Sequence, residues 1–172
     1  MNNFSYQIPT EVFFGKGQIS QLGPAITKYG NNVLLVYGGG SIKRNGLYEQ
    51  IQHIFREHSI RATDLSGIEP NPRIETVRKG VELCRQNQID VILAVGGGSA
   101  IDCAKVISAG VKYAGDAWDL VLTGSLIKET VLLITVVTLA ATGSEMDRMA
   151  VISNMETHDK LGSFSPLYYP KV

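Results

Sequence analysis

Two glycine-rich turns are the residues of this sequence whose type and spacing best suit ligand chemistry. They read Gly38-Gly39-Gly40-Ser41 and Gly96-Gly97-Gly98-Ser99, and each follows an apolar run, 33–37 and 91–95, typical of a buried strand. Because glycine has no Cβ, its backbone can come close to a bulky anion. A helix that starts just beyond such a turn adds free N–H groups and the positive end of its dipole. Two such turns at one sheet edge predict a dinucleotide lying across them.

The second turn leads into Asp102, three residues after Ser99. Ser99 can cap the following helix, and the spacing to Asp102 is that of a capping box. In a functional interpretation, the glycine N–H groups and Ser99 hold a pyrophosphate, and Asp102 accepts a hydrogen bond from a ribose hydroxyl. The other interpretation is a tight turn before a well-capped helix. The spacing alone favours neither interpretation. The glycine pattern also differs from the usual G-x-G-x-x-G fingerprint of dinucleotide-binding proteins.

The first turn is followed by two cations, Lys43 and Arg44. Cations beside a glycine turn could bind the 2′-phosphate of NADP(H). No acidic residue between positions 33 and 44 could accept from the free ribose hydroxyl of NAD(H) instead. The pair therefore favours NADP(H) over NAD(H), although a solvated basic pair explains it equally well.

A third polar segment, residues 138–145, follows a predicted strand and reads Thr-Leu-Ala-Ala-Thr-Gly-Ser-Glu. Thr142 and Glu145 again have capping-box spacing. The hydroxyl and N–H groups of this segment could contact the phosphates or the nicotinamide ribose. Taken alone, an ordinary turn between a strand and a helix is the better interpretation.

Apolar runs alternate with segments of helical period along the chain. Strands are predicted at residues 10–15, 33–37, 61–65, 90–95, 131–138 and 149–153. Helices are predicted around residues 19–29, 46–58, 74–84 and 101–111. This alternation predicts an α/β fold with a doubly wound, mainly parallel sheet. The polar tail after residue 153 shows little sign of a closing helix, so the chain is expected to be cut short.

Composition narrows the classes of function. The 172 residues include 16 basic and 16 acidic side chains, which argues against a nucleic-acid surface or a polybasic membrane anchor. The apolar stretch 131–141 is too short to span a bilayer, and the N-terminus lacks the pattern of a secretory signal. The two cysteines, Cys84 and Cys103, are predicted to be reduced core thiols of a cytoplasmic protein. No spacing of histidines and carboxylates predicts a metal site.

Taken together, these motifs resemble the N-terminal half of the iron-containing (group III) alcohol dehydrogenases. The second glycine turn with Asp102 resembles the main cofactor motif of that family, and residues 138–145 resemble its second motif. Residues 37–43 and 67–72 are similar to the branch that contains butanol dehydrogenases, and residues 9–17 to the first hairpin of the family.

The resemblance implies an NAD(P)-dependent oxidoreductase that interconverts small alcohols and aldehydes. It implies that residues 1–172 form the N-terminal dinucleotide-binding domain, with an N-terminal β-hairpin through which relatives form homodimers. The family places a divalent metal, Fe²⁺ or Zn²⁺, between this domain and an all-helical C-terminal domain. Its metal ligands would follow Val172, so no catalytic or metal-binding residue is assigned in this chain. A non-catalytic nucleotide-binding module and a relative of glycerol dehydrogenase remain the alternatives.

The resemblance also assigns candidate cofactor-binding residues by position. The pyrophosphate and nearby ribose would contact Gly97, Gly98, Ser99 and Asp102. The adenine and diphosphate region would be lined by Asn71, Thr138, Leu139 and Thr142. The adenosine 2′ position would be surrounded by Gly38, Gly39, Gly40, Ser41 and Lys43. Val151 and Lys160 would lie near the nicotinamide, with Lys160 donating to the ribose. Residues 146–149, Met-Asp-Arg-Met, depart from the pattern, and a charge there is expected to weaken cofactor binding.

Overall fold

A computed structural model describes residues 7–172. Its strands are β1 (Asn32–Tyr37), β2 (Arg61–Leu65), β3 (Val91–Gly96), β4 (Leu132–Val137), β5 (Met149–Asn154) and β6 (Asp159–Phe164). Its α-helices are α1 (Leu22–Thr27), α2 (Ser41–Arg44), α3 (Leu47–Glu57), α4 (Ile74–Gln86), α5 (Gly98–Lys112) and α6 (Ala117–Leu122). Short 3₁₀ turns lie at Gln18–Gln21, Gly124–Leu126, Ser144–Met146 and Pro166–Tyr168.

The first four strands form a parallel sheet in the order β2-β1-β3-β4. The chain runs from β1 outward to β2 and then returns to place β3 on the other side of β1. The carboxyl ends of β1 and β3 therefore flank the point at which strand order reverses, where open α/β sheets bind ligands. The predicted α/β class and parallel sheet are confirmed.

Alternate side chains of the central strands pack into two separate cores. Leu34, Val36 and Ile92 face α4, α5 and α6, whereas Leu35 and Leu93 face α1 and α3. Both faces of β1 and β3 are covered, which is why these strands read as continuous apolar runs. Cys84 and Cys103 are free and buried in the first core, as predicted.

An antiparallel hairpin of β5 and β6 follows the parallel sheet. The polar tail was not predicted to contain β6, because most of the strand's residues are solvent-exposed and lack an apolar alternation. The short helix α6 was also missed. Asp116 caps it by accepting from the Trp118 amide at 2.9 Å, and Arg78 holds the same carboxylate through two hydrogen bonds.

The predicted strand over residues 10–15 is wrong, because residues 11–14 have no regular secondary structure. This segment instead lies against residues 170–171. Glu11 N donates to Lys171 O at 3.0 Å, and Thr10 Oγ1 donates to Pro170 O at 2.8 Å. The hairpin that the resemblance places at residues 9–17 is not formed either, because these residues contain no strand. Residues 1–6 lie outside the described residues. Within residues 7–172, no helix has the length and apolar character needed to cross a membrane.

Candidate functional site

The two glycine turns lie side by side at the carboxyl edge of the sheet. Tyr37 and Val95, which precede them, are register partners in the β1–β3 pair. In the first turn, Gly40 N donates to Gly38 O at 2.9 Å, and Gly40 has a φ of 99°, a conformation that favours glycine. A Cβ added at Gly39 would meet nothing within 4 Å. The first turn is therefore open to a ligand.

The second turn starts the long helix α5 at Gly98, with Gly97 as its N-cap. The predicted capping box is wrong, because Ser99 lies inside the helix and no side chain caps it. The Gly97 carbonyl accepts from the Ala100 and Ile101 amides. The amides of Gly98 and Ser99 precede the first intrahelical donor, so they have no acceptor within the helix. Two donors at a helix N-terminus, beside glycines, fit a pyrophosphate.

Asp102 lies one turn into α5, and its carboxylate contacts the segment that follows β4. Its Oδ1 accepts from Ser144 Oγ, and its Oδ2 accepts from the Val151 amide at 3.0 Å. Burial raises the pKa of Asp102, and the bonds from Ser144 and Val151 oppose that rise. Each oxygen has a protein partner, yet a carboxylate has about four acceptor positions. The structure therefore leaves room for the predicted ribose contact without testing it.

Residues 138–148, here called the β4–β5 loop, pass over the second turn. A Cβ added at Gly98 would lie 2.5 Å from Thr142 Oγ1, and one at Gly97 would lie 3.8 Å from the Leu139 Cβ. Thr138 N donates to Gly96 O at 3.0 Å. All three candidate residues of the loop are thus placed beside the turn.

The predicted capping box of Thr142 and Glu145 is wrong. Thr142 Oγ1 accepts from the Ser144 amide at 3.3 Å, and only a 3₁₀ turn forms at Ser144–Met146. The chain turns here through Gly143, whose φ is 73°. Since β5 starts soon afterwards, no α-helix follows this segment for a box to cap.

Lys105 is fully buried and joins α5 to the β4–β5 loop. Its ammonium donates to Ser144 Oγ at 3.1 Å, to Asp147 Oδ1 at 2.6 Å and to the carbonyl oxygens of Asp147 and Met149. Burial lowers the pKa of Lys105, and Asp147 opposes that shift. The charge of Asp147, which was expected to weaken cofactor binding, is paired with Lys105. The sequence did carry a signal for this buried lysine. Lys105 lies on the same helix as the apolar residues Ile101 and Ala104, and that helix is buried on most sides.

Lys160, predicted near the nicotinamide, contacts Asn71, which was predicted to line the adenine and diphosphate region. Lys160 Nζ donates to Asn71 Oδ1 at 2.6 Å, which links β6 to the loop before α4. The hairpin is also fixed to this loop because Ser153 N donates to Pro72 O at 2.9 Å. Val151 is held by Asp102, as described above. The structure therefore places Asn71 against the β5–β6 hairpin at Lys160, and Val151 of the same hairpin against α5.

Lys43 lies over two tyrosine rings beside the first turn. Its Nζ is 4.7 Å from the ring centroid of Tyr48 and 5.4 Å from that of Tyr37. Tyr37, more than any carboxylate, raises the pKa of Lys43. Both tyrosine hydroxyls donate to Asp64 Oδ2 at 2.8 Å. Asp64 was not predicted to lie near this turn because it belongs to β2, beyond residues 33–44.

A groove of about 1040 Å³ lies beside the edge strand β4 and is lined mainly by residues of the N-terminal segment and of β4. Among the candidate residues it reaches only Thr138 and Leu139. The groove is therefore not lined by either glycine turn. Within residues 7–172, no three His, Cys, Asp or Glu side chains converge in a way that could hold a metal ion.

The sequence model of the family described as "Iron-containing alcohol dehydrogenase" matches residues 9–172. The chain belongs to the iron-containing alcohol dehydrogenases. Among the relatives of this family, NADH-dependent butanol dehydrogenase A of Clostridium acetobutylicum is 60% identical over 94% of the chain and 42% of the relative. NADPH-dependent aldehyde reductase YqhD of Escherichia coli is 41% identical over 93% of the chain and 41% of the relative. The resemblance found in the sequence is confirmed.

Solved structures of iron-containing alcohol dehydrogenases agree with this fold. The crystal structure of NADH-dependent butanol dehydrogenase A from Thermotoga maritima superimposes with a TM-score of 0.93 at 40% identity. It covers 100% of the chain, whereas the chain covers 44% of that protein. The chain therefore spans less than half the length of the alcohol dehydrogenases it matches. The individual cofactor contacts within it stay predictions.

Proposed function

We propose that residues 1–172 are the dinucleotide-binding domain of an NAD(P)H-dependent alcohol dehydrogenase or aldehyde reductase. Its substrates would be primary alcohols and aldehydes such as butanol and butanal. The observation that carries the proposal is the adjacent pair of glycine turns at the strand-order reversal. The family membership and the names of the relatives support the same reaction class.

The proposed binding mode divides the dinucleotide between the two turns. The amides of Gly98 and Ser99 donate to the pyrophosphate, and residues 38–41 surround the adenosine. Lys160 and Val151 face the nicotinamide end. When bound, the nicotinamide supplies or accepts the hydride. The chain's own residues bind the cofactor and orient it toward the substrate.

We propose that the divalent metal of the complete enzyme, Fe²⁺ or Zn²⁺, is held by the part of the family fold that this chain does not span. The described residues contain no group that fits it. The chain alone is therefore expected to bind the cofactor without turning over an alcohol.

Calorimetric titration with NADPH and with NADH tests this function. We expect saturable binding of nicotinamide nucleotide, and no butanol oxidation when Fe²⁺ or Zn²⁺ is added. A chain that stays folded by circular dichroism but binds neither nucleotide would disprove the proposed binding site. Metal-dependent oxidation of butanol by the 172-residue chain would disprove the assignment of the metal site.

The preference between the cofactors rests on Lys43. Its ammonium stands beside the first turn. The nearby acid, Asp64, accepts from two tyrosine hydroxyls through Oδ2, which leaves its Oδ1 for a ribose hydroxyl of NAD(H). The names of the relatives support both cofactors, with NADH in the butanol dehydrogenase at 60% identity and NADPH in the reductase at 41%. We propose that the site binds both, with a modest preference for NADP(H) that comes from Lys43.

The variant Lys43→Ala is expected to weaken NADPH binding about fivefold and to leave NADH binding unchanged, because an exposed charge pair contributes up to about 1 kcal/mol. Parallel titrations measure both constants. Lys28→Ala is the matched control, since Lys28 is a cation 5.4 Å from the Tyr29 ring centroid, on a different segment. Equal losses for the two nucleotides in Lys43→Ala would contradict the 2′-phosphate role.

We also propose a cytoplasmic homodimer that uses the N-terminal segment. Val12, Phe13 and Phe14 are exposed there, with Phe14 at 96% of its full area. Exposed apolar clusters of this kind mark association sites. Phe14→Ser is expected to shift sedimentation velocity profiles from dimer to monomer. Phe164→Ser, at an exposed phenylalanine on β6, is the control, and an unchanged profile for Phe14→Ser would argue against this interface.

A further inference from the structure

The β4–β5 loop is the least supported wall of the proposed cofactor site. Residues 138–142 are all exposed, and the loop contains only one 3₁₀ turn. It nevertheless carries Thr138, Leu139 and Thr142 over the second glycine turn. Something must hold so exposed a segment in place, because short loops with few buried contacts open easily.

The loop is held from α5 by two neighbouring side chains. Asp102 accepts from Ser144 Oγ and the Val151 amide, and Lys105 donates to Ser144, Asp147 and Met149. Asp147 Oδ1 also accepts from the Met149 amide at 2.9 Å. These contacts fix the end of the loop to the same helix that begins with the second glycine turn. The helix α5 thereby positions both the second glycine turn and the β4–β5 loop.

We propose that Lys105 and Asp147 form a clamp that positions the β4–β5 loop for cofactor binding. This inference rests on the proposed function. Both are positioning residues, since each acts through the loop and not by touching the cofactor. The ion pair is unevenly placed, with Lys105 at 0% and the Asp147 side chain at 38% exposure. The buried lysine is therefore fixed, and the loop is the part that can detach.

A buried ion pair contributes little to the stability of a fold, because an apolar pair of similar volume often stabilises it as well or better. Its advantage here is geometric, since four acceptors around one ammonium define a single position for the loop. The alanine variant Asp147→Ala removes Oδ1, so the Met149 amide loses this acceptor and Lys105 loses its charged partner. Lys105 Nζ then keeps only Ser144 Oγ and the carbonyl oxygens of residue 147 and Met149. Asp147→Asn keeps an oxygen at that position and loses only the charge.

The test combines amide hydrogen exchange of the ligand-free chain with calorimetric titration of NADPH. Asp147→Ala is expected to exchange at least about tenfold faster over residues 138–148 and to bind NADPH about tenfold more weakly. The amides of β1 and β3 should keep their protection. Asp147→Asn should restore most of both properties. The control Arg148→Ala removes the neighbouring charge, which lies over the Phe164 ring, and should match the wild-type chain.

Three outcomes separate the clamp from the function on which it rests. Unchanged exchange of the loop in Asp147→Ala would disprove the clamp whether or not nucleotide binds. Faster exchange with wild-type NADPH affinity would show that the loop does not position the cofactor, which also overturns the inference. Absence of NADPH and NADH binding by the wild-type chain would instead overturn the proposed function, and with it the cofactor role of the clamp.

Discussion

Gly98→Ala is expected to weaken NADPH binding about thirtyfold, the cost of losing about 2 kcal/mol of charged hydrogen bonding. A Cβ at this position would lie 2.5 Å from Thr142 Oγ1 and 2.9 Å from Thr142 Cγ2. The loop must then move, and the methyl group stands at the helix N-terminus where we propose that the pyrophosphate binds. Because Thr142 is exposed, the melting temperature should change little. Titration with NADPH and a thermal melt measure both effects.

A second substitution separates the two causes of this weaker binding, which are displacement of the loop and the methyl group itself. Thr142→Gly removes the three atoms that would lie nearest to the new methyl group. The double variant Gly98→Ala with Thr142→Gly should therefore regain the loop position, but it should still bind NADPH at least about tenfold more weakly than the wild-type chain. Thr142→Gly alone is the control. NADPH affinity within about threefold of the wild type in Gly98→Ala would refute a close approach of the cofactor at this turn.

Lys105→Met is expected to lower the free energy of unfolding by about 3 kcal/mol, the lower end for breaking a buried ion pair. Methionine fills a similar volume, but Ser144 Oγ and the carbonyl oxygens of Asp147 and Met149 lose their donor. The Asp147 carboxylate regains water because it is half-exposed, which limits the loss. The melting temperature should fall by about 6 to 12 °C. Denaturant titration measures the free energy directly.

Lys112→Met supplies the comparison on the same helix. Lys112 is exposed in the last turn of α5, where a cation contributes at most about 1 kcal/mol through the helix dipole. A loss in Lys105→Met no larger than that in Lys112→Met would mean that the buried ammonium contributes nothing net to stability. The contacts of the Lys105 ammonium with its four acceptors would then act on loop geometry alone.

The parallel sheet was predictable because its central strands are covered on both faces. Such strands read as unbroken apolar runs, which predict the bounds of β1 and β3 to within one residue. The strand β6 was not predictable in this way. Its residues are mostly exposed and are held by main-chain bonds to β5, which leave no apolar pattern. The segment 10–15 failed for the opposite reason, since its apolar side chains face solvent.

The glycine turns of the site were predictable from local sequence, whereas its side-chain network was not. A run of glycines after a strand indicates a turn wherever it occurs. The contacts of Asp102 with Ser144 and of Lys105 with Asp147 join residues 42 positions apart. Their spacing follows from how β5 packs on α5, which only the folded chain reveals. Local capping rules therefore assigned both acids of the motifs, Asp102 and Glu145, to the wrong partners.

The register of β1 against β3 has a consequence for how such a protein can change over evolution. Tyr37 and Val95 are paired, so both glycine turns leave the sheet at the same level, one strand spacing of about 4.8 Å apart. Main-chain hydrogen bonds set that separation, and mutation of side chains cannot alter it. Descendants of this fold can therefore acquire new substrates through their loops, while the separation of the two turns at the sheet edge is inherited unchanged.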